Sequence, residues 1–208
     1  MVEIEYLGGN CVKIKNKKAS LIVDDNLESL GLKNRTTDDS VALVTSKDIE
    51  VKSSGRFRVD CPGEYEISEI SIKGIAHRSH LDEAGKRTTS FVIRISGIVI
   101  LVLGHVHPDM TDEQLEELGM IDILIIPVGG SGYTLDPVGA VKIANKIDPK
   151  IVIPTHYADK DIKYPVPQVA LDEFVKICGT PDPERINHLK IKETDLGDKM
   201  HTVIVERS

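Results

Sequence analysis

Two segments carry the side chains best suited to chemistry. In Ser96-Gly-Ile-Val-Ile-Leu-Val-Leu-Gly-His-Val-His-Pro-Asp-Met110, an apolar run ends at Leu103, Gly104 interrupts it, and His105 and His107 follow. A second apolar run, Ile151-Val-Ile-Pro-Thr155, ends in His156-Tyr157. Uninterrupted apolar runs of this length read as strands covered on both faces, and titratable residues at the ends of such strands are candidates for a site. If both strands lie in one sheet, three imidazoles meet at one rim, where they bind a divalent metal or exchange protons near neutral pH. His105 and His156 make the better pair. His107, two positions on and followed by Pro108, is expected to splay away as a bystander.

The elements that must position these residues follow from periodicity and turn signals. Residues 2–25 read as three strands of an antiparallel meander turned at Gly8-Gly9-Asn10, residues 26–39 as a polar connection, and Val41-Ala-Leu-Val-Thr45 as another buried strand. Three β-like runs fill residues 57–75; a polar loop with His77, His80 and Gly85 leads to the strand Thr88-Thr-Ser-Phe-Val-Ile-Arg-Ile95. Helices come later. Thr111-Asp-Glu-Gln114 is a capping box opening a helix that ends at Gly119, and Asp136-Pro137 starts another, with Val138, Val141, Ala144 and Ile147 as its expected apolar stripe. Asp122-Ile-Leu-Ile-Ile-Pro-Val128 is a buried strand between them, a helix of about eleven residues is expected to end near Gly179, and Leu189-Lys-Ile-Lys192 and His201-Thr-Val-Ile-Val205 alternate like strands. Strands first and strand–helix alternation afterwards predict an α/β fold of two packed sheets with helices outside them.

Composition narrows the function. The 208 residues and 40% apolar content suit one domain with a sizeable core. With 26 Lys and Arg against 33 Asp and Glu, the net charge of −7 gives no general electrostatic reason to bind nucleic acid or anionic membrane. No apolar run approaches the ~20 residues needed to cross a bilayer and the N-terminus lacks signal-peptide features, so a cytoplasmic protein is expected. The cysteines at 11, 61 and 178 show no paired spacing for zinc or a disulfide framework. Gly129-Gly130-Ser131-Gly132-Tyr133 lacks the second flanking glycine of a nucleophile elbow, and no phosphate-cradling or dinucleotide glycine motif follows a strand.

A resemblance adds to this. Glu5-Tyr-Leu-Gly-Gly-Asn-Cys-Val-Lys-Ile14, Leu21-Ile-Val-Asp24, Gly63-Glu-Tyr-Glu-Ile67, Thr111-Asp-Glu-Gln-Leu115, Ile126-Pro-Val-Gly-Gly130 and Pro149-Lys-Ile-Val-Ile-Pro-Thr-His-Tyr157 together resemble the metallo-β-lactamase-fold superfamily. The branch they look most like is the small Zn-dependent hydrolases of the β-lactamase fold, related to ascorbate-6-phosphate lactonase. The resemblance covers nearly the whole chain and implies a four-layer αββα sandwich, one domain over residues 1–208, with the site at one edge. The family hallmark Thr-His-x-His-x-Asp-His stands here as Thr45-Ser46-Lys47-Asp48-Ile49-Glu50-Val51, which contains no histidine. Carried over by position, Ser46 and Asp48 take the places of the first-site histidines, Glu50 that of the second-site Asp, and Val51 that of its histidine. His80, or alternatively His77, matches the next family histidine, judged by the Leu81-Asp-Glu that follows; His105 replaces the metal-bridging Asp; His156 is retained.

Imidazole cannot bridge two ions as a carboxylate does, so the ordinary dinuclear zinc centre is disfavoured. A remodelled mononuclear site would draw on His80, His105, His156 and Asp48, with Asp48 or Glu50 as general base. Two functions result. One is a binding or regulatory protein on a metallo-β-lactamase scaffold that has lost its motif. The other is a metal-dependent hydrolase of a small ester, lactone or phosphoester. The cofactor expected is one divalent ion (zinc, manganese or iron) or none, and the partner a small-molecule ligand or substrate, with neither nucleic acid nor membrane.

Overall fold

The computed structural model describes residues 1–52, 55–80, 85, 87–180 and 182–208. Its first sheet begins as the expected meander, β1 (Val2–Gly8), β2 (Cys11–Lys15) and β3 (Ser20–Val23), joined by antiparallel pairing. β4 (Val41–Leu43) and β5 (Phe57–Val59) then add in parallel, and β13 (Leu189–Ile191) closes the other edge against β1. Alternation sets the faces: Val2, Ile4 and Tyr6 enter the core, while Glu3 and Glu5 turn outward beside Lys15.

The second sheet holds β6 (Gly63–Ile67), β7 (Ile70–Arg78), β8 (Arg87–Ile95), β9 (Ile98–Val102), β10 (Ile123–Pro127), β11 (Ile151–Thr155), β12 (Glu184–Ile186) and β14 (His201–Val205), in the order β12-β14-β11-β10-β9-β8-β7-β6. β9 and β11 flank β10, parallel to it, so the two histidine-bearing strands do share one sheet and end at the same rim. Every residue of β10 and β11 is buried, as expected where parallel strands are covered on both faces. The main apolar core, including Ile14, Leu21, Phe91, Ile93 and Ile125, lies between the sheets.

Helix α1 (Asp112–Leu118) begins with the expected reciprocal Thr111–Gln114 capping box and packs on β7; α2 (Pro137–Ile147) packs on β10 and on α3 (Leu171–Cys178). Over the first sheet the outer layer is a turn-rich segment whose Leu27 joins Leu7, Cys11 and Ile22 in a separate cluster. The result is a two-sheet α/β sandwich with few helices, as the resemblance implies.

Two details differ from expectation. Of the expected stripe of α2, Ala144 is buried and Val141 and Ile147 pack partly buried on the core, but Val138 is 61% exposed, and the other buried residues are Pro137, Gly139, Ala140 and Ile143. Pro137 at the first helical position turns into the core, which rotates the face away from Val138. α3 has 8 residues rather than about eleven, because Ala170 is still extended at its N-cap. Of the segment that aligned His80, Leu81, Asp82 and Glu83 lie outside the described residues.

Candidate functional site

The rim where β9, β10 and β11 end faces the loops that follow β1, β3 and β4, and between them opens a cavity of about 420 Å³. Its walls include Asn10, Asp24, Asp48, Glu50, His105, Tyr133, His156 and Lys163. Clefts outside the carboxyl ends of parallel strands are favoured binding positions in α/β sheets, because the loops there diverge.

A buried polar knot ties the two sheets together beneath this cavity. Asp24 is fully buried and accepts hydrogen bonds from the Thr45 N–H (2.7 Å), the Thr45 hydroxyl (2.7 Å) and the Asn10 amide (2.8 Å). Burial raises the Asp24 pKa, and these donors partly restore it. Asn10 also donates to the Leu103 carbonyl (3.2 Å) and accepts from the Thr155 hydroxyl (2.9 Å), so the ends of β9 and β11 are held to the β1–β2 turn. At Gly104 a Cβ would overlap the Thr45 hydroxyl; glycine lets the end of β9 close against the end of β4.

His105 follows directly. Its ring meets Tyr133 edge-on at 4.8 Å between centroids and His156 at 5.1 Å, nearly perpendicular. The residue is half-buried, yet both ring nitrogens are buried and neither has a hydrogen-bond partner. Burial, then the neighbouring imidazoles of His156 and His80, push its pKa down to about 3, so the ring is neutral at neutral pH. His156 sits in the left-handed region (φ +53°), held by its N–H to the Gly9 carbonyl (2.8 Å), and its Nδ1 lies 3.0 Å from the Gln168 Oε1. Burial lowers its pKa to about 4, against an upward contribution from Gln168.

The other expected residues are placed differently. Asp48 and Glu50 reach the same cavity from the segment after β4. His80 is pinned beside His105 by its N–H to the His105 carbonyl (2.8 Å), but its ring faces His107 (6.5 Å between centroids) and is absent from the cavity wall. His107 is absent from the cavity wall, with its N–H on the Arg78 carbonyl and its Nδ1 accepting from the Asp109 N–H. His77, the alternative to His80, lies on β7 against Ser90 (2.6 Å) and away from the cavity wall. Within the glycine turn, the Gly130 N–H donates to the Leu135 carbonyl and the Tyr133 N–H to the Gly130 carbonyl.

Asn10, Asp24, Tyr133, Lys163 and Gln168 were not singled out from sequence. An Asp ending an apolar strand, as in Leu21-Ile-Val-Asp24, was the one signal available; the others are brought in by tertiary contacts.

The donor chemistry suits a divalent ion. Two neutral imidazoles and three carboxylates, Asp24, Asp48 and Glu50, line one cavity, and Asp24 already accepts from Thr45 and Asn10. The set is not preassembled. Among the described residues, the only three metal-ligating side chains with atoms within 4.8 Å of one another are Glu3, Glu5 and His188, on the far sheet, where Lys15 already pairs with both carboxylates.

Comparison with known proteins agrees with this architecture. Residues 3–156 match the beta-lactamase superfamily domain. A metal-dependent hydrolase of Thermococcus onnurineus is 34% identical over 92 residues, 43% of this chain and 38% of that protein. One from Methanosarcina mazei is 31% identical over 126 residues, 54% of this chain and 52% of that protein, so the match spans about half the length of these relatives or less. A Thermotoga maritima crystal structure, described as a candidate Zn-dependent hydrolase of the metallo-β-lactamase superfamily, superposes with a TM-score of 0.77 at 26% identity, covering 99% of this chain and 100% of that one. Two sheets closing over a strand-end cavity, with this match over residues 3–156, place the chain in the beta-lactamase superfamily domain family, with the metallo-β-lactamase fold.

Proposed function

We propose that this protein is a metal-dependent hydrolase with a mononuclear site, in which His105 and His156 hold one divalent ion and the segment bearing Asp48 and Glu50 supplies a carboxylate. The observation that carries this reading is His105, whose two buried ring nitrogens have no protein partner although such groups are costly to leave unsatisfied. Relatives described as metal-dependent hydrolases support it. A bound divalent ion would supply Lewis-acid polarisation of a carbonyl or phosphoryl oxygen. The protein's own groups would do the rest. A carboxylate of Asp48 or Glu50 takes up a proton at the cavity wall. Tyr133, whose phenol burial holds above its usual pKa, stays a hydrogen-bond donor for a developing oxyanion or leaving group. Small esters, lactones and phosphoesters fit a cavity of this volume.

A second reading, a non-catalytic ligand-binding or regulatory protein, is favoured by the absence of histidine from Thr45 to Val51 and by ligand atoms that do not converge. Metal analysis of protein purified without chelator, with zinc, manganese and iron titrations, separates the two. The hydrolase reading expects close to one equivalent of metal, reduced in His105→Ala, and metal-dependent cleavage of a model ester or phosphodiester that is lost in His156→Ala. Less than about a tenth of an equivalent of every metal, with no thermal shift on adding it, would overturn that reading.

A further inference from the structure

We infer that Gln168 is a positioning residue that fixes the tautomer of His156, holding the proton on Nδ1 and presenting the Nε2 lone pair as a ligand; its use toward a metal rests on the function proposed above. The Gln168 amide cannot turn round. Its Nε2 donates to the Val166 carbonyl (2.9 Å) and lies 3.4 Å from the Pro167 carbonyl. A flipped amide would set its oxygen against two carbonyl oxygens, so Oε1 faces His156 Nδ1 at 3.0 Å and can only accept. A neutral imidazole has one N–H, and that acceptor draws it to Nδ1.

The surroundings are built for this contact. A Cβ on Gly129 would overlap both Gln168 Oε1 and the His156 carbonyl, so only glycine admits the amide. Residues 157–170, which deliver Gln168, are fastened at both ends by the Val169 N–H to the Gly129 carbonyl (2.8 Å) and the Ala158 N–H to the Val169 carbonyl (2.9 Å). Tyr164 of the same loop packs on the His156 ring at 5.0 Å and donates to the Tyr157 carbonyl (3.0 Å). His156 is thus enclosed by one loop that supports its ring and sets its proton. Metal-ligating histidines ordinarily need such a partner on the second nitrogen, and losing it weakens metal affinity about 10- to 100-fold.

The test is ¹⁵N-edited NMR of the His156 side chain in chelator-treated protein at neutral pH, with zinc affinity measured separately by calorimetry. Wild type should show the Nδ1–H tautomer. Gln168→Leu, which removes the acceptor, should move the population toward Nε2–H and weaken zinc binding about 10- to 100-fold. An Nε2–H wild-type spectrum would overturn the inference without any variant, should Gln168→Leu fail to fold. An unchanged tautomer together with zinc affinity within about twofold in a folded Gln168→Leu would also overturn it. A wild type with Nδ1–H that binds no zinc would sustain the positioning role and sink the metal reading alone.

Discussion

Replacing His105 with leucine should stabilise the protein in chelator while removing the metal binding proposed above. Both ring nitrogens are buried and unpartnered, and leaving a buried polar group unsatisfied costs about 1–3 kcal/mol. Leucine has a similar volume and packs against the same Tyr133 ring. At pH 7 we expect a gain of about 1–2 kcal/mol, at about 2–4 °C of Tm per kcal/mol for a chain of this size. The pH dependence sharpens the prediction. The His105 pKa falls from 6.5 to about 3 on folding. As pH drops below 6.5 the unfolded wild type binds a proton that the folded state refuses, so wild type loses stability down to about pH 3, and the leucine variant lacks this loss. The unscreened slope is about 1.4 kcal/mol per pH unit; because the residue as a whole is only half-buried, we expect the gap to widen by about 1 kcal/mol between pH 6.5 and pH 5. Urea denaturation in chelator at pH 7 and pH 5, with equal m-values, measures both numbers. A leucine variant less stable than wild type at pH 7, or a gap that does not widen at pH 5, would refute the claim that His105 is an unsatisfied imidazole awaiting a ligand.

Asp24→Ala leaves the Thr45 N–H, the Thr45 hydroxyl and the Asn10 amide without their acceptor, and should cost at least about 3 kcal/mol in urea melts; a loss under about 1 kcal/mol would show that the knot is not structural. Gly104→Ala drives a Cβ into the Thr45 hydroxyl and should destabilise by about 1–3 kcal/mol, read as a lower Tm. His77, buried and lowered to about 4 mainly by desolvation, should cost stability as pH falls from 6.5 toward 4, since the unfolded state takes up the proton first. His77→Gln, which keeps a polar partner for Ser90, should therefore flatten the acid side of the stability–pH curve by up to about 1.4 kcal/mol per unit, and an unchanged slope would contradict this.

Periodicity by itself marked most of the strands, but not β12 (Glu184–Ile186) or the reach of β7 through His77 to Arg78. The uninterrupted apolar runs of β9, β10 and β11 could be satisfied only between two covering layers, and Thr111 and Asp136 marked helix starts through local hydrogen bonding that needs no tertiary partner. Because β9 and β11 both pair with β10, His105 and His156 were legible as a pair from strand ends alone. Contacts distant in sequence were not legible. The buried face of α2 depends on how Pro137 docks, and His80 was expected in the cavity although its ring faces His107. Asn10 and Asp24 join strands from opposite sheets, and Gln168 comes twelve residues after the imidazole it orients. Local pattern records which face of an element is apolar, but a polar group's partner is set by where the chain returns in three dimensions. Only the tertiary structure decides that His105 ends with no partner and His156 with one.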